Sequence, residues 1–199
     1  MLVGQKGETS VAAVGLAGQL AFLLNLVHFG IISGAAMFTA QFWGRNDVPN
    51  LRRVLGLCLI FAIGTSLVFF TLAHLMPERI LSIYTKDLAV IALGTDYIRV
   101  FSWTFLFLAV TVSYGFVLRS TGNVKIPTVI SVCALILSTA LSYVLIFGIW
   151  GFPELGIQGV AVAVVTARAL ECVALVVFAY TQKTAVAASL RELTNFDAA

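Results

Sequence analysis

The sequence predicts an all-α integral membrane protein that crosses the bilayer about five times. Three observations carry this. Hydrophobic residues make up 60% of the chain and charged residues only 11%, where a water-soluble domain carries about 25% charged residues. Charge this sparse cannot cover a globule in water, and with a mean hydropathy of +1.03 hydrocarbon must be part of the solvent. The apolar residues also fall into five long stretches divided by charged or Gly/Pro-rich junctions. Finally, runs such as Leu67 to Ala73 (LVFFTLA) lack the apolar/polar alternation that barrel strands require.

The first stretch covers 11–43 and ends at Gly44-Arg45-Asn46-Asp47. The second covers 54–76 and is closed by Pro77-Glu78-Arg79. The third, 88–118, tolerates Asp96 and Arg99 near its start. The fourth, 127–150, opens with Pro127 in its first turn, where a missing N–H is harmless. The fifth covers 156–180, and a more polar tail, 181–199, follows. A crossing needs about 20 residues at about 1.5 Å each. All five stretches suffice, and the first and third exceed it, so they should tilt, kink or project into water.

Orientation follows from Lys and Arg at the junctions. Arg45, Arg52, Arg53, Arg119, Lys125, Lys183 and Arg191 fall on one side, against Lys6, Arg79 and Lys86 on the other. The bias places the C-terminus in the cytoplasm and the N-terminus outside. An odd number of spans beginning outside creates the expectation of a preceding helix.

Soluble chemistry has no foothold. Cys58, Cys133 and Cys172 fall one per apolar stretch without CxxC spacing, which argues against disulfides or a thiolate metal site. His28 and His74 are isolated, so no metal site is expected, and neither an enzyme motif nor a cofactor-binding motif occurs. The net charge of +3 is too small and dispersed for nucleic acid.

The informative residues are polar groups inside the spans. Asn25 and His28 lie three apart near the middle of the first stretch, as interhelical hydrogen-bond groups or as groups facing a cavity. Gln19 lies about 120° from Asn25 around the helix. Arg168 and Glu171 repeat the three-residue spacing in the fifth stretch, read as an ion pair with a packing or gating role. Asp96 and Arg99 do so at the outer end of the third. Gln41 reads as a packing or cytoplasmic-gate residue. Gly30 with Gly34, and Gly15 with Gly18, Ala12 and Ala13, form small faces suited to close helix contact.

Ordered segments also resemble the MATE (multidrug and toxic compound extrusion) transporters. VGQKGE (3–8) with AAVGLA (12–17) is similar to that family's passage from helix one to helix two. GAAMFTAQFWG (34–44) resembles the end of helix two, and LRSTGNVKIP (118–127) the loop between helices four and five. YVLIFG (143–148) and ELGIQGVAVA (154–163) resemble the turn into helix six. The resemblance implies helices two to six of a twelve-helix, two-lobed antiporter, in an incomplete N-terminal lobe covering 1–199. SLRELTNFD (189–197) then begins the cytoplasmic inter-lobe linker. It also implies a multi-pass protein of a plasma membrane, a bacterial inner membrane. Its partners would be lipid, a C-terminal lobe and small organic cations or drugs, exchanged for Na+ or H+. The family's cation-coordinating positions in helices five and six fall on Ser138, Ser142 and Val164. Two hydroxyls offer a hard cation no carboxylate, so the coupling carboxylates are expected in the other lobe. A lipid-linked oligosaccharide flippase of related architecture and a non-transporting truncated membrane protein are the alternatives. A flippase would call for more basic residues than Arg99 and Arg168 within the spans.

The charge bias gives a direct test. In a background without native thiols, Asn46→Cys and Asn123→Cys should react with an impermeant maleimide from the cytoplasmic side, and Glu154→Cys from outside. The reverse pattern overturns the orientation.

Overall fold

A computed structural model describes residues 7–148 and 154–182. The segments 1–6, 149–153 and 183–199 lie outside it. With them go Lys6, Lys183, Arg191, the last two residues of the fourth expected span and the expected linker.

The described chain is helical throughout: α1 (Glu8–Gly44), α2 (Val48–Leu75), α3 (Pro77–Tyr84), α4 (Leu88–Phe101), α5 (Trp103–Ser120), α6 (Lys125–Phe147) and α7 (Ile157–Thr181). Among them α1, α2, α5, α6 and α7 are long and apolar enough to cross a membrane. The expected all-α architecture is present, with two differences of detail.

The second stretch does not simply end at Pro77. Proline cannot donate to the preceding turn, so α2 stops, and the fixed φ of Pro77 starts the short α3. This helix buries Leu81 against Gly94 of α4 and leaves Ile83 exposed. The third stretch is not one uninterrupted span, because it breaks at Ser102 into α4 and α5. Ser102 Oγ donates to the Arg99 carbonyl at 2.9 Å, and Thr104 Oγ1 donates to the Phe101 carbonyl at 2.7 Å. Hydroxyls that bond the preceding turn bend helices. Ser102 keeps right-handed helical angles (φ −58°, ψ −25°), so the two pieces form one kinked helix.

Capping follows the sequence elsewhere. The Asp47 side chain accepts from the Asn50 N–H, with Pro49 in the first turn of α2. Asp87 caps α4 through the N–H groups of Ala89 and Val90. Gly148 ends α6 in the left-handed conformation (φ 63°) that a side chain would resist.

The kinked α5 lies at the centre, touching α1, α2 and α7. One cluster joins Leu20 and Leu24 of α1, Tyr97 and Ile98 of α4, Phe105 of α5 and Ala161 of α7. Another joins Leu51 and Leu55 of α2, Val117 and Leu118 of α5 and Leu175 of α7. By contrast α6 packs almost wholly on α7 and exposes Val129, Val132, Leu135 and Ile136.

Close helix approach occurs at an unexpected glycine. A Cβ on Gly159 of α7 would stand 2.8 Å from Leu145 Cβ and 2.9 Å from its carbonyl oxygen in α6. On Gly15, Gly18, Gly30 or Gly34 it would meet nothing within 4 Å. Those four glycines of α1 therefore make no close contact within the described chain, whereas Ala13 of the same small face is buried opposite Gly94 of α4. Gly159→Ala should cut the thermal stability of the purified protein, because the Leu145 backbone must move. Gly34→Ala should be neutral or stabilising by about 0.5–1 kcal/mol, the ordinary helix preference for alanine. Equal melting temperatures for the two variants would refute the α6–α7 contact.

A polar cleft between α6 and α7

Gly159 brings α6 and α7 together at one end, and facing small side chains leave a gap further along. A cleft of about 360 Å³ is lined by Ser131, Ala134, Leu135 and Ser138 of α6 and by Val164, Ala167, Arg168 and Glu171 of α7. Two groups of residues singled out separately in the sequence meet here: Ser138 with Val164, and Arg168 with Glu171.

The cleft holds an ion pair in which only the carboxylate is buried. Glu171 lies near the middle of α7 with its side chain only 1% exposed, while that of Arg168 is 43% exposed. Arg168 Nη1–H donates to Glu171 Oε2 at 2.7 Å. Ser131 Oγ–H donates to Glu171 Oε1, also at 2.7 Å, from across the seam. Each carboxylate oxygen thus has a partner, which is what a buried charge requires. The expected pair between Arg168 and Glu171 is present; a gating role is a separate matter.

Ser131 was not singled out, although a signal existed. Ser131, Ser138 and Ser142 are spaced by seven and four residues, one face of a helix. Ser142 is buried one turn from Ser138 but does not line the cleft. Thr128 and Thr139 of α6 bond the carbonyl four residues back. Neither Ser138 nor Ser142 does so among the described residues, leaving the Ser138 hydroxyl available at the cleft wall.

Asn25 and His28 do not come together. The buried stripe of α1 runs through Leu20, Leu24, His28 and Ile32, so Asn25 faces outward and bonds its own Ala21 carbonyl at 2.8 Å. His28 is buried against α2, where Nε2–H donates to the Ala62 carbonyl at 3.2 Å and the Ser66 hydroxyl lies 3.1 Å away. Gln19 is exposed. Gln41 is exposed near the end of α1, and its carbonyl accepts from the Arg45 N–H. Asp96 lines a separate pocket with Ser10, Glu154 and the start of α7. Among the described residues no group of three His, Cys, Asp or Glu side chains could hold a metal.

These features define a multi-span membrane protein with a polar recess between otherwise apolar helices. The sequence profile of the MatE family matches residues 1–144. The chain belongs to that family. It is 31% identical over 179 residues to the probable multidrug resistance protein YoeA of Bacillus subtilis (strain 168), covering 89% of this chain and 39% of the relative. It is 32% identical over 167 residues to the probable multidrug resistance protein NorM of Rhizobium meliloti (strain 1021), covering 82% of this chain and 35% of the relative. A FAD transporter of Shewanella oneidensis MR-1 is 28% identical over 165 residues, covering 81% of this chain and 36% of that protein. The chain thus spans less than two fifths of these relatives' length.

The ion pair predicts an asymmetry. Arg168→Ala strands a buried carboxylate with one hydroxyl partner and should destabilise by about 3 kcal/mol. Glu171→Gln keeps an acceptor for Arg168 and removes the buried charge, so it should cost about 1 kcal/mol. Detergent-resistant unfolding of both variants checks the order; an equal or inverted loss would refute the described burial of Glu171.

Proposed function

We propose that the chain forms part of one lobe of a multidrug efflux antiporter. It would move small organic molecules, organic cations among them, across a bacterial inner membrane in exchange for Na+ or H+. The observation that carries this reading is a polar cleft between two membrane-spanning helices, in a chain whose relatives are named for multidrug resistance and FAD transport. Such a protein moves its substrate without making or breaking bonds. The C-terminus lies in the cytoplasm, and a C-terminal lobe completes the substrate path.

The coupling cation is held in that second lobe. At the α6–α7 cleft the carboxylate is already neutralised by Arg168 and occupied by Ser131. Ser138 adds one hydroxyl and Val164 an apolar side chain, while Ser142 lies off the cleft, too few oxygens for a hard cation.

Cells expressing residues 1–199 alone should show no energy-dependent ethidium efflux, and fusion to both the first helix and the C-terminal lobe of the Bacillus subtilis relative should restore it. In that fusion, Ser138→Ala with Ser142→Ala should leave the Na+ and pH dependence of efflux nearly unchanged. Efflux by the chain alone overturns the need for a second lobe. A large shift in ion dependence places the coupling cation in this lobe.

A further inference from the structure

We infer that the α6–α7 cleft is a binding site for the acidic group of an amphiphilic organic substrate, with Arg168 as the residue that recognises it. This deepens the efflux reading, and rests on it, by naming a substrate class.

The exposure of the two charges sets the sign of the site. The Glu171 side chain is 1% exposed and both its oxygens are engaged, whereas 43% of the Arg168 side chain remains open. A ligand entering the cleft therefore meets guanidinium before carboxylate. A guanidinium carries five N–H donors in a planar fork. Among the described residues only Nη1 of Arg168 is engaged, by Glu171, which leaves the others for a ligand. Glu171, itself held by Ser131, fixes the orientation of that fork, so little freedom is lost on binding. Ser138 adds a hydroxyl on the opposite wall.

The remaining lining says what the acid must be attached to. Ala134, Leu135, Val164 and Ala167 are apolar, and the volume of about 360 Å³ falls within the range of small-molecule sites. A carboxylate or phosphate on an apolar body fits; a zwitterion fits when its cationic end lies outside. Oxyanion pairing with guanidinium is bidentate by geometry, so lysine would be a poor substitute.

Purified chain 1–199 in phosphatidylcholine nanodiscs tests this with a matched pair of dyes, rhodamine B, which bears a free carboxylate, and rhodamine B ethyl ester, which does not. Fluorescence anisotropy, corrected with empty nanodiscs, should give at least about tenfold tighter binding of the acid, the scale of a charge-assisted hydrogen bond. Arg168→Gln should abolish the preference while leaving ester binding in place, and Arg168→Lys should keep only part of it. Equal affinity of the two dyes for the wild-type chain overturns the site, even if the Arg168→Gln protein fails to fold. So does a preference that survives Arg168→Gln, or a failure of the acid to bind at all. A phospholipid headgroup offers the same oxyanion. If adding phosphatidylglycerol to the nanodiscs erases acid binding, the lipid is the occupant and the substrate assignment is overturned. Binding to the chain requires no transport. Loss of the acid preference with efflux intact in the fusion protein would therefore remove this site and leave the transporter reading standing.

Discussion

Hydrocarbon offers no hydrogen-bond partner, and this one constraint explains where the polar residues of the chain lie. Backbone groups are satisfied by continuous helices. Most hydroxyls solve the same problem locally, by donating to the carbonyl three or four residues back, as Thr39, Thr65, Ser113, Thr139 and Thr166 do. An imidazole and a carboxylate cannot follow that route. His28 reaches across to the α2 backbone at Ala62, and Glu171 takes a hydroxyl from α6. These cross-helix bonds are among the few that fix one helix against another. Neutral ones contribute only about 0.6 kcal/mol on average in membranes, so they specify helix register more than they add stability.

The cleft and the close contact at Gly159 are two consequences of small residues along one seam. At Gly159 the backbone of α6 comes near enough that no side chain fits between. Toward the middle of α7, Ala134, Ser138 and Ala167 are too short to fill the space between the helices, and charged and hydroxyl groups line it. Because α6 leans on little besides α7, this seam carries most of its attachment to the described chain. Larger side chains at these positions would either close the cleft or push α6 away.

Much of the architecture was legible because hydropathy is summed over about twenty residues, and such a sum survives local irregularity. The same averaging hides what happens within a span. The excess length of 88–118 called for a tilt, kink or projection, but the run stays apolar across Ser102, so the position of the break was invisible to composition. It was legible only to the rule that Ser and Thr bond the preceding turn. The helix α3 is a short amphipathic turn between spans, below any membrane-length window. At the site, a three-residue spacing carried two different outcomes. For Arg168 and Glu171 it meant a direct bond, because both side chains are long and opposite in charge. For Asn25 and His28 it left the residues on different sides of a boundary. Three residues advance about 300°, and the narrow stripe through Leu24 and His28 ends before Asn25.

The pairing of Arg168 with Glu171 also separates two roles that a sequence cannot assign. Each residue alone would be costly in hydrocarbon, and together they are neutral, so composition gives no preferred ligand charge. Depth resolves it. The carboxylate is sealed under α6 by Ser131, and the guanidinium lies on the open side. Glu171 therefore acts as a fixed counter-charge that makes an arginine tolerable at mid-helix. Without it, Arg168 would be drawn to snorkel toward the interface. Held in place, the guanidinium presents donors where an apolar wall would otherwise admit only hydrocarbon. Selectivity at this cleft then depends on a carboxylate that no ligand needs to touch.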